Sequence, residues 1–244
     1  MKDTEKKTLG VIGGMGPAAT AYFMDLVVRM TKAETDQEHL NIMVCHVPTI
    51  PDRTGYILDH RKPSPLPAII DYGRKLAALG ANYAAIPCIT AHYFYKSLDE
   101  ELPIPIINGV EETVSYLKAM GYTRVGVMAT SGTLHACVFQ SELERQGLEA
   151  VLPLAQRQKD VMDLIYKDIK SGRPGNMERF NRVTEELRSC GAEVIILGCT
   201  ELSIIKRDSD IGAGFIDVLE VLARASIEHC GGEVREEYEN LISQ

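Results

Sequence analysis

The sequence predicts an α/β protein of two pseudo-symmetric units, each with a mainly parallel sheet. Three observations point there. Apolar runs of strand length alternate with amphipathic stretches of helix length, the pattern produced when helices wrap a parallel sheet. Two segments are near copies, Gly80-Ala81-Asn82-Tyr83-Ala84-Ala85-Ile86-Pro87-Cys88 and Gly191-Ala192-Glu193-Val194-Ile195-Ile196-Leu197-Gly198-Cys199. In both, Gly-Ala closes a helix, an apolar strand follows, and a cysteine stands where the chain leaves that strand. The likeness also covers Leu9-Gly10-Val11-Ile12-Gly13-Gly14 against Val125-Gly126-Val127-Met128-Ala129-Thr130, and Ile107-Asn108 against Ile216-Asp217. Each unit is therefore read as Rossmann-like. The cleft between the units is the expected site, with one thiol on either side.

The first unit opens with a strand over 9–12, an uncharged run ended by glycines. Those glycines and Pro17 make 13–17 a loop, and a helix follows from 18 to about 32. A strand over 41–46 comes next, and the prolines and polar residues of 47–67 read as a long loop. A helix over 68–79 leads into the strand 83–86, Cys88 and a helix starting near 90. A strand at 104–107 ends the unit. The second unit has a helix from about 110, a strand at 125–128, a loop at 129–133 and a helix at 134–146. Helices around 160–171 and 176–189 precede the strand 194–197, and Cys199, like Cys88, precedes a helix. Because 214–230 mirrors the strand and helix around 106–120, it is expected to return to the first unit. The predicted domains are then 1–108 with about 214–230, and 109–213. The tail, 231–244, is charged and is either frayed or an added helix.

A chain of 244 residues, 45% hydrophobic and 25% charged, suits two ordinary globular domains with full cores. A formal net charge of −8 leaves no basic stripe and argues against nucleic-acid binding. No run reaches transmembrane length, and the start, Met1-Lys2-Asp3-Thr4-Glu5-Lys6-Lys7, lacks the apolar stretch of a signal peptide. The six cysteines have no paired spacing, so they read as reduced thiols of a cytoplasmic protein. Cys45, Cys137, Cys190 and Cys230 are expected to be small buried hydrophobes.

Cys88 and Cys199 are the candidate acid/base pair. A free thiol near its ordinary pKa is only about 3% ionised at neutral pH, and a helix start supplies positive charge and N–H donors that favour the anion. The Gly-rich loop Gly13-Gly14-Met15-Gly16 does not complete a dinucleotide-binding spacing, which leaves close backbone approach to a small carboxylate as its expected role. Arg53, in Ile50-Pro51-Asp52-Arg53-Thr54, is either a bidentate carboxylate fork or a solvated arginine. Thr130-Ser131-Gly132-Thr133 either meets an anion or caps a helix. Lys170 either assists such an anion or complements a helix dipole. His92 stands four residues after Cys88, yet without further ligands at metal spacing it reads as structural, and no metal site is expected.

Together these motifs resemble the aspartate/glutamate racemase family, in its aspartate racemase branch. The likeness rests on Gly10-Val11-Ile12-Gly13-Gly14-Met15-Gly16-Pro17, Ile50-Pro51-Asp52-Arg53-Thr54, Pro87-Cys88-Ile89-Thr90-Ala91-His92, Ala129-Thr130-Ser131-Gly132-Thr133 and Gly198-Cys199-Thr200-Glu201, in that order. The resemblance implies cofactor-independent racemisation between two α/β domains, with Cys88 and Cys199 as the two acid/base residues and a homodimer as the assembly. It implies aspartate as substrate, with glutamate second. It also implies that Arg53, assisted by Lys170, recognises the side-chain carboxylate, and that Thr90 and Ala91 hold the α-carboxylate. Met15, Thr130, Thr133 and Thr200 fall in matching segments and complete the expected substrate shell. One position departs from the pattern: the family usually has Asn after the first cysteine, and this chain has Ile89. Two other readings stay open, a cysteine-dependent isomerase or decarboxylase of a dicarboxylic acid, and a non-catalytic dicarboxylate-binding protein.

Overall fold

The computed structural model describes residues 6–244, and the charged start over 1–5 lies outside them. β1 (Leu9–Gly13), buried along its whole length, is the middle of a three-stranded sheet. β2 (Ile42–His46) and β3 (Tyr83–Ala85) flank it in parallel, with Leu9 opposite both Ile42 and Tyr83. α1 (Pro17–Met30) starts on a proline, whose fixed φ suits the first helical turn. The stretch expected to be a long loop contains α2 (Arg53–Leu58), because the Asp52 carboxylate caps it by accepting the Gly55 N–H at 2.6 Å. α3 (Leu66–Ala78) then runs to Gly80, which turns the chain at a φ of +101°. After Cys88 comes a 3₁₀ turn, Ile89–Phe94, and only then α4 (Tyr95–Glu101), where the sequence had suggested a helix from about 90. The strand expected over 104–107 is reduced to one parallel bridge between Ala84 and Ile106.

α5 (Gly109–Ala119) follows the first unit, and the second begins with β4 (Arg124–Met128), α6 (Ser131–His135), α7 (Val138–Gln146) and β5 (Glu149–Val151). The expected helix over 134–146 is broken at Cys137, which adopts a left-handed φ of 53° between α6 and α7. α8 (Ala155–Asp163) passes into a π turn, Leu164–Asp168, and a 3₁₀ turn, Ile169–Ser171, before α9 (Met177–Ser189). β6 (Val194–Leu197), α10 (Thr200–Asp208), β7 (Phe215–Asp217) and α11 (Val218–His229) follow. The four strands are parallel in the order β5-β4-β6-β7, and β5-β4-β6 repeats the order β2-β1-β3.

β7 corrects the expected domain boundary. It pairs with β6, Ile216 opposite Ile196, so the strand within 214–230 belongs to the second sheet. Only the helix crosses: α11 packs against α1, while α5, which follows the first unit, packs against α7. Each unit therefore sends its last helix to the other, and the two helices also pack on one another. A central core cluster joins Leu9 and Val11 to Val125 and Val127 through Val114, Leu117 and Leu222. The tail is tied to both units by antiparallel bridges, Thr31 to Val234 and Ile216 to Ile242, with Leu241 buried. Of the cysteines read as buried fillers, Cys230 is buried, Cys45 is half-buried, and Cys137 and Cys190 are exposed. No described helix is long and apolar enough to cross a membrane.

Candidate active site

Both parallel sheets end at the boundary between the units, and each delivers a cysteine there. Cys88 follows β3 and Cys199 follows β6. Both are buried, and both line one small cavity. Met15, Arg53, Ile89 and Thr90 line that cavity from the first unit, and Thr130, Lys170 and Thr200 from the second. Of the expected shell, Ala91 and Thr133 do not line it. Ala91 is packed in the core of the first unit. Thr133 stands behind Thr90, to which its hydroxyl donates at 3.1 Å.

The two thiols sit in different fields. Cys199 is the N-cap residue of α10, and its Sγ donates to Glu201 Oε2 at 2.9 Å. Burial, and then the Glu201 carboxylate, push its pKa well above the ordinary thiol value, against the opposing pull of Lys170. Cys88 precedes a 3₁₀ turn rather than an α-helix, so the helix-start support expected for it is weak. It shares its side of the cavity with the Arg53 guanidinium.

Arg53 is itself buried and held by backbone carbonyls. Nη1 donates to Pro51 at 3.0 Å and to Ile50 at 3.4 Å, and Nη2 donates to Met15 at 3.2 Å, while Nε is buried without a partner. Gly132 permits this placement, since a Cβ there would come within 2.9 Å of Thr54 Cα, where α6 meets α2. Lys170 Nζ stands 3.7 Å from Glu201 Oε1 and 4.5 Å from the centre of the Tyr166 ring. Burial works to lower the Lys170 pKa, but the Glu201 carboxylate and the neighbouring thiols and phenol outweigh it and raise the pKa. Tyr166 donates in turn to Asp52 Oδ2 at 3.3 Å, closing the irregular 164–171 segment onto α2.

Asp52, Thr54, Tyr166 and Glu201 also line the cavity, and sequence reasoning assigned them no role. Glu201 had the clearest signal, an acidic residue two positions after a thiol in the first helical turn. His92 is structural: its Nε2 accepts the Gly109 N–H at 3.2 Å and its Nδ1 faces the Cys88 carbonyl at 3.3 Å. The cavity measures about 10 Å³, close to the ~10–15 Å³ that one water requires. Beyond it lies a chamber of about 550 Å³, and Met15, Asp52, Arg53, Lys170 and Glu201 face both spaces. These five residues form the wall between the two spaces.

The sequence and the fold are both similar to those of known proteins. The chain is 29% identical over 228 residues to the broad specificity amino-acid racemase RacX of Bacillus subtilis (strain 168), covering 90% of this chain and 96% of that protein. The structure of Picrophilus torridus aspartate racemase superposes with a TM-score of 0.83 at 30% identity, over 95% of this chain and 97% of that one. Glutamate racemase from Francisella tularensis, solved in complex with D-glutamate, shares the fold at a TM-score of 0.62 and 16% identity, over 92% of this chain and 81% of that one. The family model described as Asp/Glu/Hydantoin racemase matches residues 12–226, and the chain belongs to that family.

Proposed function

We propose that the protein is a cofactor-independent amino-acid racemase that interconverts L- and D-aspartate, with glutamate second, through Cys88 and Cys199. The observation that carries this reading is the shared cavity: two thiols, each at the carboxyl end of an equivalent strand, face one space from opposite units. One thiolate removes the α-proton while the opposite thiol delivers its own proton to the other face, and the roles reverse for the other enantiomer. A pair of thiols supplies both the acid and the base, so the proton exchange asks for no pyridoxal phosphate.

Arg53 and Lys170 supply the positive charge for a dicarboxylate, and Thr90, Thr130 and Thr200 supply hydroxyls at the same cavity. Donors aimed at the α-carboxylate stabilise the charge that gathers there as the α-proton leaves. The names borne by the similar racemases support an amino-acid substrate, and the two cations favour an acidic one. The direct test is proton NMR of L- and D-aspartate in deuterated water, joined to polarimetry. Loss of the α-proton signal with decay of optical rotation is the expected result. Tight aspartate binding with an intact α-proton signal would instead make the protein a dicarboxylate-binding protein. The reading also includes a homodimer, which sedimentation would show as twice the mass of the chain.

A further inference from the structure

Glu201 is held between a thiol and an ammonium. Its Oε2 accepts from Cys199 Sγ at 2.9 Å and its Oε1 faces Lys170 Nζ at 3.7 Å, and the residue is 5% exposed. The thiol contact is a hydrogen bond, while the ammonium contact is longer than one and is purely ionic. Lys170 is thus the easier partner to draw away. It sits on the turn Ile169–Ser171, directly after a π turn, and π turns interrupt helices where a functional side chain must be placed. It is also one of the five residues that separate the inner cavity from the outer chamber, and it meets an incoming ligand there.

We propose that Glu201 is the proton partner of Cys199, and that the substrate's side-chain carboxylate activates it by taking Lys170 away. The proposal rests on the racemase reading above and deepens it. In the resting site the Lys170 cation faces Glu201 at 3.7 Å, and Cys199, its pKa pushed up by burial and the carboxylate, stays a thiol. A dicarboxylate that binds Lys170 at hydrogen-bond distance leaves Glu201 as a buried anion with no cation beside it, accepting only from the Cys199 thiol at 2.9 Å and the Thr200 hydroxyl at 3.4 Å. Withdrawing the cation raises the proton affinity of both groups, and more at Glu201, which Lys170 faces directly at 3.7 Å, than at Cys199; the nearest proton is on sulfur. The S–H bond breaks, the O–H bond forms, and the electron pair stays on Cys199. That thiolate then removes the α-proton, Cys88 donates its proton to the other face, and protonated Glu201 returns its proton to Cys88 through solvent once product leaves.

The charged groups facing this pair are Lys170 and Tyr166 on the irregular turn, Asp52 and Arg53 at α2, and Cys88 across the cavity. None of the others has an oxygen placed on the Cys199 sulfur. An amino acid without a second carboxylate can occupy the site without removing Lys170, so it should be deficient in turnover rather than in affinity alone.

The test compares wild type, Glu201→Gln, Glu201→Asp and Lys170→Met, after circular dichroism has shown them folded. For aspartate, Glu201→Gln should lower kcat for α-proton exchange by ~10²-fold or more with a smaller change in KM, and Glu201→Asp should recover part of the loss. Alkylation of Cys199 by iodoacetamide, followed by mass spectrometry across pH, is read on the same proteins without substrate. It should move to lower pH in Glu201→Gln, because the carboxylate that opposes the thiolate is gone. A slower enzyme with a more acidic thiol separates a proton partner from a merely structural residue. Finally, acetate should stimulate exchange of alanine by wild type and not by Lys170→Met. Unchanged kcat in Glu201→Gln, an unshifted Cys199 titration, or no stimulation by acetate overturns the proposal while aspartate exchange by wild type stands. No exchange of aspartate by wild type overturns the racemase reading, and this proposal with it.

Discussion

Thr90 and Thr130, 40 residues apart and on different units, hold their hydroxyl oxygens 3.1 Å from each other. Thr133 closes a triangle with them, at 2.9 Å from Thr130 and 3.1 Å from Thr90. Three hydroxyls carry three protons, so each can donate once and accept once around the ring. The ring crosses the boundary between the units at the edge of the cavity.

Thr133→Val keeps the shape and removes the hydroxyl that does not line the cavity. It should destabilise the fold by about 1–3 kcal/mol, because Thr90 and Thr130 each lose a buried partner. Urea denaturation reads this directly. An unchanged midpoint would mean that the triangle contributes nothing to holding the units together.

Cys88→Ala and Cys199→Ala should each abolish racemisation while leaving the circular dichroism spectrum intact, since the reaction needs a proton acceptor and a proton donor on opposite faces of Cα. Substantial racemase activity in either folded variant would reject the two-thiol mechanism.

Arg53→Ala should lower both aspartate affinity and stability, because it removes a ligand cation and also strips donors from the carbonyls of Met15, Ile50 and Pro51. A charged hydrogen bond is worth about 1.5–3 kcal/mol, so a loss of at least tenfold in kcat/KM is expected. Arg53→Lys should rescue little, since one ammonium cannot span three carbonyls and a ligand. Equal losses for aspartate and alanine would remove Arg53 from the side-chain carboxylate.

Ile89→Asn introduces the residue that the family resemblance leads one to expect after the first cysteine. Ile89 lines the cavity but is also part of the central core cluster. The amide should therefore cost stability while changing substrate choice. Preference for aspartate over less polar amino acids, measured as a ratio of kcat/KM, should increase. A falling ratio would show that Ile89 belongs to the acidic-substrate site as it stands.

Acid should expose the buried His92. Burial lowers its pKa from 6.5 to about 4, so on acidification the unfolded chain takes up the proton first. The neutral ring's stabilisation is present above 6.5 and lost as pH falls toward 4, about 3 kcal/mol for a shift of that size. Glu220 works in the opposite sense: burial raises it from 4.5 to about 7, so its contribution is present at low pH and lost as pH rises through 7. The difference in unfolding free energy between His92→Gln and wild type should therefore grow in favour of the variant from pH 6.5 down to 4. A difference that stays flat contradicts the buried neutral imidazole.

The parallel sheets and both cysteines were legible because apolar strands and a duplicated Gly-Ala-strand-Cys segment are local patterns. The short elements were not. α2 needs the Asp52 cap to offset a proline-rich sequence, and β5 has three residues, one of them exposed. β7 was placed in the wrong unit because its partner, β6, is a long-range choice that strand composition does not encode. Arg53 and Lys170 were legible as cations, but not their partners. The backbone carbonyls that hold Arg53 and the carboxylate that faces Lys170 arrive through tertiary packing. Glu201 was in plain view within the Cys199 motif, yet only the folded chain shows its oxygen on the sulfur.

The exchange of α5 and α11 has a consequence for dissection. A fragment ending at residue 108 would lack the helix that covers α1, and a fragment beginning at 109 would carry that helix with no α1 to receive it. Neither half is a self-sufficient module, despite the internal duplication. Mixed together, the two fragments should complement like the parts of a split protein, and the intact chain should melt in a single cooperative step rather than in two.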